Sequence, residues 1–512
     1  MDWTEGYITD VEYTRGYYRE LCPGILRLAC LSAGVKPPAG NPLRYLELGY
    51  GQGLSLNIHA AAIAGEFWGT DFNPSHVAQA RALGDAAGSS VRLLDASFAE
   101  IAAQQDLPEF DIIALHGIWS WISDENGRVI VDLIRRRLRV GGIVYISYNC
   151  LPGWAPALPL HHLMKLHADL AAKASGMVAK VDGALGFTQQ VIDSGALYFR
   201  RHPAVGEWLK TISRFDRNYL VHEYLNEHLR VMAFSDVARW LDEAKLTFVA
   251  SAHVLDHVEE VNLTAEGSKL LAAIGHPILR ESVRDYFVNQ QFRRDVFVKG
   301  PQRLSRLEQL DAIRFDAFAL ATPPDDVPMK VRGALGEATL QEQIYRPLIE
   351  ALAENDYAPK KVDELVRHDN LKAMPLGQVL PAILVLVGGG HVHPAQEPAS
   401  ASQTHCRALN RYLCERARSA GGIHFLASPV VGAGVSVSRI HQLFLLALQH
   451  GKKSEAEQAA FAWGLLSGEG QRVVKDGKAL ETPEENLAEL ANTARQFTAT
   501  QLPALRALKI AS

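Results

Sequence analysis

Leu46-Glu47-Leu48-Gly49-Tyr50-Gly51-Gln52-Gly53 sets three glycines at alternate positions directly behind a short apolar run. The run, residues 44–48, predicts a strand, and the alanine-rich stretch 54–64 predicts a helix. A glycine-rich turn between strand and helix lets the backbone reverse tightly and approach a ligand closely. The same alternation continues outward. Residues 66–70 read as a second strand ending at Asp71, and 75–87 as a helix with Pro74 at its start. Residues 91–94 and 110–115 read as further strands and 126–138 as a helix. Gly141-Gly142 then leads into a fifth strand, 143–148. Strands alternating with helices imply a parallel sheet covered on both faces, an α/β fold of the Rossmann-like kind.

Beyond this unit the pattern changes. Leu151-Pro152-Gly153-Trp154-Ala155-Pro156 is a loop, and 158–229 is mostly helical. Residues 234–244 make an amphipathic helix, 246–252 another strand, and 258–263 one more candidate strand. The strand at 246–252 reads as the missing end of the first sheet. Residues 151–230 are then a helical insertion in a domain spanning 1–263. Residues 264–332 read as mainly helical. The stretch 333–400 has three short helices, an apolar segment and the turn Gly388-Gly389-Gly390, an order resembling a winged-helix unit. With little basic character, it suits protein docking or a structural role better than nucleic acid. Residues 401–512 read as helical.

Composition limits the partners. Domains run to ~100–200 residues, so 512 residues predict three or four units. A net charge of −5 argues against charge-driven nucleic-acid binding, which needs a basic surface. Arg135, Arg136, Arg137 and Arg139 read as one solvated helix face. The five cysteines, Cys22, Cys30, Cys150, Cys406 and Cys414, are odd in number and without CxxC spacing. Reduced thiols and a cytoplasmic location follow as expectations. Met1-Asp2-Trp3-Thr4-Glu5 lacks the basic and apolar regions of a signal peptide. The longest apolar run, 379–387, falls short of the ~18 residues of a membrane span, so no membrane insertion is expected. His391-x-His393 and His161-His162 lack a third ligand, so no metal is expected.

The chemistry starts at the glycine loop. Its G-x-G-x-G spacing is not the G-x-G-x-x-G of a dinucleotide fold. Glu47 would repel a pyrophosphate but suits a sulfonium and an ammonium, the two cations of S-adenosylmethionine. Asp71, ending the second strand, is placed to accept from both ribose hydroxyls. Asp95, ending the third strand, has Ser97 nearby and suits the adenine amino group. Each acid alone is more simply a strand-end turn residue; all in order at this spacing point to the methyl donor. Ligands of open parallel sheets bind at the carboxyl ends of strands. His116, Trp119 and Trp121 therefore become candidates for the methyl-transfer side, with one tryptophan expected in the core. The Asn/Asp-Pro-Pro-aromatic motif of nucleic-acid amino methylation is missing, which disfavours adenine or cytosine acceptors.

Gly69-Thr70-Asp71-Phe72-Asn73-Pro74, Leu115-His116-Gly117-Ile118-Trp119-Ser120-Trp121, Tyr148-Asn149-Cys150-Leu151-Pro152-Gly153-Trp154, Asn218-Tyr219-Leu220-Val221-His222-Glu223-Tyr224 and Val288-Asn289-Gln290-Gln291-Phe292-Arg293 join the glycine loop in one resemblance. Together they resemble bacterial class I methyltransferases carrying a methyltransferase regulatory domain, among them the rickettsial outer-membrane-protein lysine methyltransferases. The resemblance covers roughly residues 1–300. It implies a cofactor set of Glu47, Gly49, Gly51, Gly53, Asp71, Phe72, Asn73, Asp95, Ser97, His116 and Gly117, with a regulatory region at 264–332. It also implies a homodimer built through the insertion, and a protein substrate such as an outer-membrane or surface protein before export.

A lysine acceptor must lose its proton, since a pKa near ~10.4 leaves little free amine at neutral pH. An aromatic, partly desolvated channel would help. Tyr7, Tyr13, Tyr17, Trp119, Trp121, Tyr148 and Tyr219 are candidates for it. His222 and Glu223 are candidates for the proton, evenly balanced against a role on a surface or interface helix. Trp119, Tyr148, His222 and Glu223 thus form the expected catalytic set. Three functions fit: a protein lysine methyltransferase, a methyltransferase for a saccharide or small molecule, and a non-catalytic cofactor-binding interaction protein.

Overall fold

The computed structural model describes residues 4, 6–9, 11, 15–171, 176–419 and 422–511. Its centre is a seven-stranded sheet of β1 (Leu43–Leu48), β2 (Gly65–Asp71), β3 (Arg92–Asp95), β4 (Phe110–Leu115), β5 (Leu138–Asn149), β6 (Leu246–Ser251) and β7 (Phe292–Lys299). The strand order is β3-β2-β1-β4-β5-β7-β6. The first five strands run parallel. β7 is antiparallel to both β5 and β6. Local chemistry sets the helices between them. Asn73 caps Pro74–Ala87, its side chain accepting from Ser75 N at 3.0 Å with proline in the first turn. Ser97 and Glu100 form a reciprocal capping box at Phe98–Ala103.

The strand predicted at 246–252 lies in this sheet, but β7, not β5, is its neighbour. β7 falls in a stretch read as mainly helical. Its charged start, Phe292-Arg293-Arg294-Asp295, hides the apolar pattern that marks a strand. Arg293 and Asp295 are nonetheless buried, at 4% and 1% exposure. Arg293 bonds Asp295 and Asp285, and Tyr148 donates to Asp295 at 2.7 Å. A buried charge is tolerated where it is paired and hydrogen-bonded in this way. The candidate strand at 258–263 is instead a helical turn, Glu259–Asn262. Asn262 fixes it, donating to the carbonyls of Leu255 and Val258.

Between β5 and β6 lie the helices Leu158–Leu170, Met177–Asp193, Leu197–Arg201, Pro203–Ile212 and Arg217–Leu225. They enclose a core of their own, with Leu160, Met164, Val181, Leu209 and Leu220, which Ile8 of the N-terminal segment joins. The C-terminal half is not wholly helical. Ala317–Leu320 pairs with Lys360–Lys361 and Val392–Ala395, and Lys330–Gly333 with Gly336–Thr339. Hairpins also occur at Phe425–Ser428 with Ala433–Ser436 and at Val474–Lys475 with Lys478–Ala479, inside the stretch expected to be helical. Strands of two to four residues carry too little periodicity to show in sequence. This half packs on the helices that cover one face of the sheet. Leu28 and Ile58 share one buried cluster with Leu348, Leu386 and Phe444. Among the described residues no helix is long and apolar enough to cross a membrane.

Candidate active site

The strand order turns back between β1 and β4, which opens a crevice at their carboxyl ends. A cavity of ≈ 410 Å³ lies there. The glycine loop forms one wall, and its glycines are needed for different reasons. Gly53 has φ +73°, and a Cβ on it would lie 2.5 Å from the Ala80 Cβ. Any side chain there would push the helix Leu54–Ala62 off Pro74–Ala87. Gly51 has φ +58°, and a Cβ on it would meet nothing within 4 Å. That position faces the open cavity.

Glu47 sits at the cavity floor with 4% exposure. Burial, aided by the charge of Asp71, pushes its carboxyl up to about 8, against a hydrogen bond from Tyr45. Among the described residues it has no ion-pair partner. A buried acid without a counter-ion, kept protonated by its burial, is a fitting receptor for a cation that can draw off the proton. Asp71 is held from both sides. Gly51 N donates to one oxygen at 2.8 Å and Asn73 N to the other at 3.0 Å, with His76 Nδ1 3.3 Å from the latter. Each oxygen keeps lone-pair capacity for a ligand hydroxyl.

Glu47, Gly49, Gly51, Gly53, Asp71 and Phe72 all line the cavity, as do Ser97, His116 and Gly117. The Ser97 hydroxyl is also tied to Glu100 at 2.9 Å. His116 lies against Tyr18 with ring centroids 3.9 Å apart, and its Nδ1 is 2.7 Å from the Tyr145 hydroxyl. Burial lowers its pKa to about 4, so the ring is neutral at pH 7. Asn73 and Asp95 stand off the wall. Asn73 is occupied as a helix cap. Asp95 is exposed because β3 is the sheet's edge strand, and its successors Ala96, Ser97 and Phe98 reach the cavity instead.

The opposite wall comes from the helices after β5, the N-terminal segment and the turn before β7. Glu223 and His222, on the helix Arg217–Leu225, both reach the cavity. They differ in setting. His222 is 2% exposed, its ring centroid is 5.4 Å from that of Tyr7, and its Nε2 donates to Val11 O at 3.0 Å. Burial lowers it to about 4, so it anchors the N-terminal segment as a neutral ring. Burial pushes the Glu223 carboxyl up to about 8.

Trp119 and Tyr148 are corrected out of the site. Trp119 is fully buried, edge-on to Trp240 at 5.7 Å, while Trp121 lines the cavity. Tyr148 is 1% exposed and bonded to Asp295. Alternation along β5 explains the position of Tyr148. Tyr145 and Ser147 bond His116 and Gly117 on the cavity side, and Asn149 follows in the same parity. Val144, Ile146 and Tyr148 point to the other face. Counting by twos from the strand end would have found Asn149. Of the remaining aromatic candidates, Tyr7 and Tyr219 line the cavity. Tyr17 does not: it is buried against Phe425 and is 3.2 Å from His59 Nε2. Tyr13 lies outside the described residues. Tyr18, Trp154 and Trp208 also line the site, brought there by tertiary packing and not by any local motif.

Comparison with known proteins agrees with this geometry. Residues 46–142 match the model of a methyltransferase domain, and 216–299 that of a predicted methyltransferase regulatory domain. The latter match includes Glu223, β6 and β7, so it supplies two sheet strands and part of the cavity wall. The chain is 40% identical over 515 residues to the uncharacterized protein sll1526 of Synechocystis sp., covering 100% of both. It is 26% identical to the uncharacterized protein RP028 of Rickettsia prowazekii, covering 43% of this chain and 86% of that one. The fold is shared with PKMT2 from Rickettsia typhi, solved in complex with AdoHcy, at a TM-score of 0.69 and 17% identity over 97% of this chain and 99% of that one. With its glycine loop, strand-end acid and cavity at the strand ends, the chain belongs to the class I S-adenosylmethionine-dependent methyltransferases that carry a methyltransferase regulatory domain.

Proposed function

We propose that this chain methylates the side-chain amine of lysine in a protein substrate. The observation that carries this reading is Glu223, a carboxyl raised to about 8 by burial in an aromatic part of the cavity. S-adenosylmethionine supplies a methyl group already activated by its sulfonium. Glu47 would receive the positive charge of the donor, Asp71 its ribose hydroxyls, and the room at Gly51 its close approach. Tyr7, Trp121 and Tyr219 offer ring faces to the incoming ammonium, exclude water and favour its neutral form. Glu223 as carboxylate would take the proton and leave the nitrogen lone pair free; a bound donor would supply the methyl group, its carbon–sulfur bond breaking to leave a neutral thioether. A pKa near the working pH suits that role.

The exposed apolar residues Leu170 (64%) and Leu197 (55%) on the helical insertion support a homodimer formed through that region. Apart from Glu223 the acceptor wall is aromatic and carries no further carboxylate to pair with sugar hydroxyls, which favours a protein reading over a saccharide one. The test is to incubate the full chain with labelled S-adenosylmethionine and a lysate of its source cells. Label in protein, released as methyl-lysine on hydrolysis, supports the reading. Label only in small molecules or glycans, or cofactor binding without turnover, overturns it.

A further inference from the structure

A second depression of ≈ 140 Å³ adjoins the cavity. The two share Trp154, Trp208 and Gln291. The rest of its lining comes from three chain segments: the loop after β5 with Gly153 and Pro156, the first turn of Pro203–Ile212 with Ala204 and Val205, and Asn289 before β7. These walls are pinned to one another. Gly153 N donates to Gln290 O at 2.9 Å and Cys150 N to Gln291 O at 2.7 Å. A Cβ on Gly153 would lie 2.5 Å from the Gln290 carbonyl oxygen, so only glycine permits that approach. Trp208 is fixed in turn by its indole N–H, which donates to the Tyr224 hydroxyl at 3.2 Å.

Two features identify what enters. The groove carries no charged residue, only tryptophan, proline and small apolar side chains with two amides. Asn289 and Gln291 are exposed at its rim, and among the described residues their side-chain amides bond no protein group. An amide offers both a donor and an acceptor, the complement of a peptide group. In the adjoining cavity, Asn149 is 6% exposed and its Nδ2 is buried without a partner. A buried donor left unpaired is costly, so it calls for an acceptor oxygen from a ligand.

Resting on the lysine reading above, we propose that this groove seats an extended, unstructured polypeptide segment. Its residues beside the acceptor lysine pack on Trp154 and Trp208, and one of its main-chain carbonyls accepts from Asn149. The lysine side chain passes between the tryptophans toward Glu223. A neutral groove selects for small, uncharged residues flanking the lysine.

The test uses the full-length chain and two probes. The first is a fluorescent twelve-residue peptide of serine and alanine with one central norleucine, which reports binding without methylation. The second is the same peptide with lysine, compared with N-acetyl-lysine methylamide in turnover. Ala204→Trp fills the groove from an exposed helix position, and Asn149→Leu removes the inner donor. Each is expected to weaken norleucine-peptide binding at least tenfold. Ala204→Trp is also expected to lower the peptide-to-amide ratio of kcat/KM about tenfold. Circular dichroism and retained S-adenosylmethionine binding check the fold, and Gln291→Ala gives a second, milder groove variant. Peptide binding that is absent, or equal in all variants, overturns the groove. Binding that responds to the variants without methylation of the lysine peptide upholds the groove and overturns the acceptor reading.

Discussion

The donor and acceptor walls of one cavity are built by different means. The donor wall is mostly backbone: the 49–53 loop and strand ends set by the register of a parallel sheet. The acceptor wall is mostly side chains from the N-terminal segment, the helices 203–225 and the turn before β7, of which Phe292 is held in sheet register, opposite Asn149. A parallel sheet brings all its strand ends to one edge, so short motifs suffice to find donor contacts. Acceptor contacts depend on how separate helices pack. Methyl donors are common to many enzymes and acceptors are not, and the construction matches that division.

The sharpest way to break the comparison is at Glu223. Glu223→Gln should lower kcat about 10²–10³-fold while the S-adenosylmethionine Kd, measured by calorimetry, stays within about twofold. Comparable losses in both would mean that the two walls are not separable. The wild-type kcat should rise with pH and level off above about 8, as the Glu223 carboxylate forms.

At the donor wall, Gly51→Val puts a branched side chain at φ +58° and into the open cavity. Cofactor affinity should fall about 10²-fold or more, through strain and lost space. The glycine loop would lose its place in the donor site if Gly51→Val bound normally.

Glu47 gives the next effect. Below pH 8 the carboxyl holds a proton that it must release to meet a cation. The Kd should therefore improve as pH rises toward 8 and flatten above it, with proton release visible as a buffer dependence of the binding heat. Glu47→Gln should weaken binding about tenfold at pH 9 and erase that dependence. The same raised carboxyl has a stability consequence without cofactor. Its contribution is full below the unfolded value of ~4.5 and is lost as pH rises through about 8, because the unfolded chain then binds fewer protons. Bound cofactor should reduce that loss, which thermal unfolding at pH 6 and 9 would register.

The smallest change in turnover is expected at Tyr148. Tyr148→Phe removes a hydrogen bond to a buried carboxylate, so stability should fall by about 1–3 kcal/mol in urea unfolding. Its kcat in cofactor-saturated assays should stay within about twofold. A large fall in kcat alone would return Tyr148 to the site.

What could be read in advance follows the same division. The alternation from Leu43 to Asn149 was legible because apolar strands, glycine turns and capped helices each leave a local mark. So were Glu47, Asp71 and the loop glycines. β7 was not, since its opening charges are satisfied by Asp285 of the preceding helix and by Tyr148, far away in sequence. Trp208 and Tyr18 reach the cavity only through packing, so no spacing rule points to them. Trp119 and Tyr148 lie near strand ends in sequence but not at the cavity: the parity of β5 turns Tyr148 to the other face, and Trp119, in the turn after β4, packs on Trp240.

The position of β7 also orders events during synthesis. β5 pairs on its outer side with a strand that ends at Lys299, made only after the whole helical insertion. Until then the growing chain carries an apolar strand with unpaired N–H and C=O groups, an edge open to other chains. A chain stopped or cleaved before residue 292 would keep that edge permanently and should aggregate, however complete its glycine loop. The regulatory stretch is thus also a closing seam, and its arrival marks when the nascent enzyme becomes safe to release.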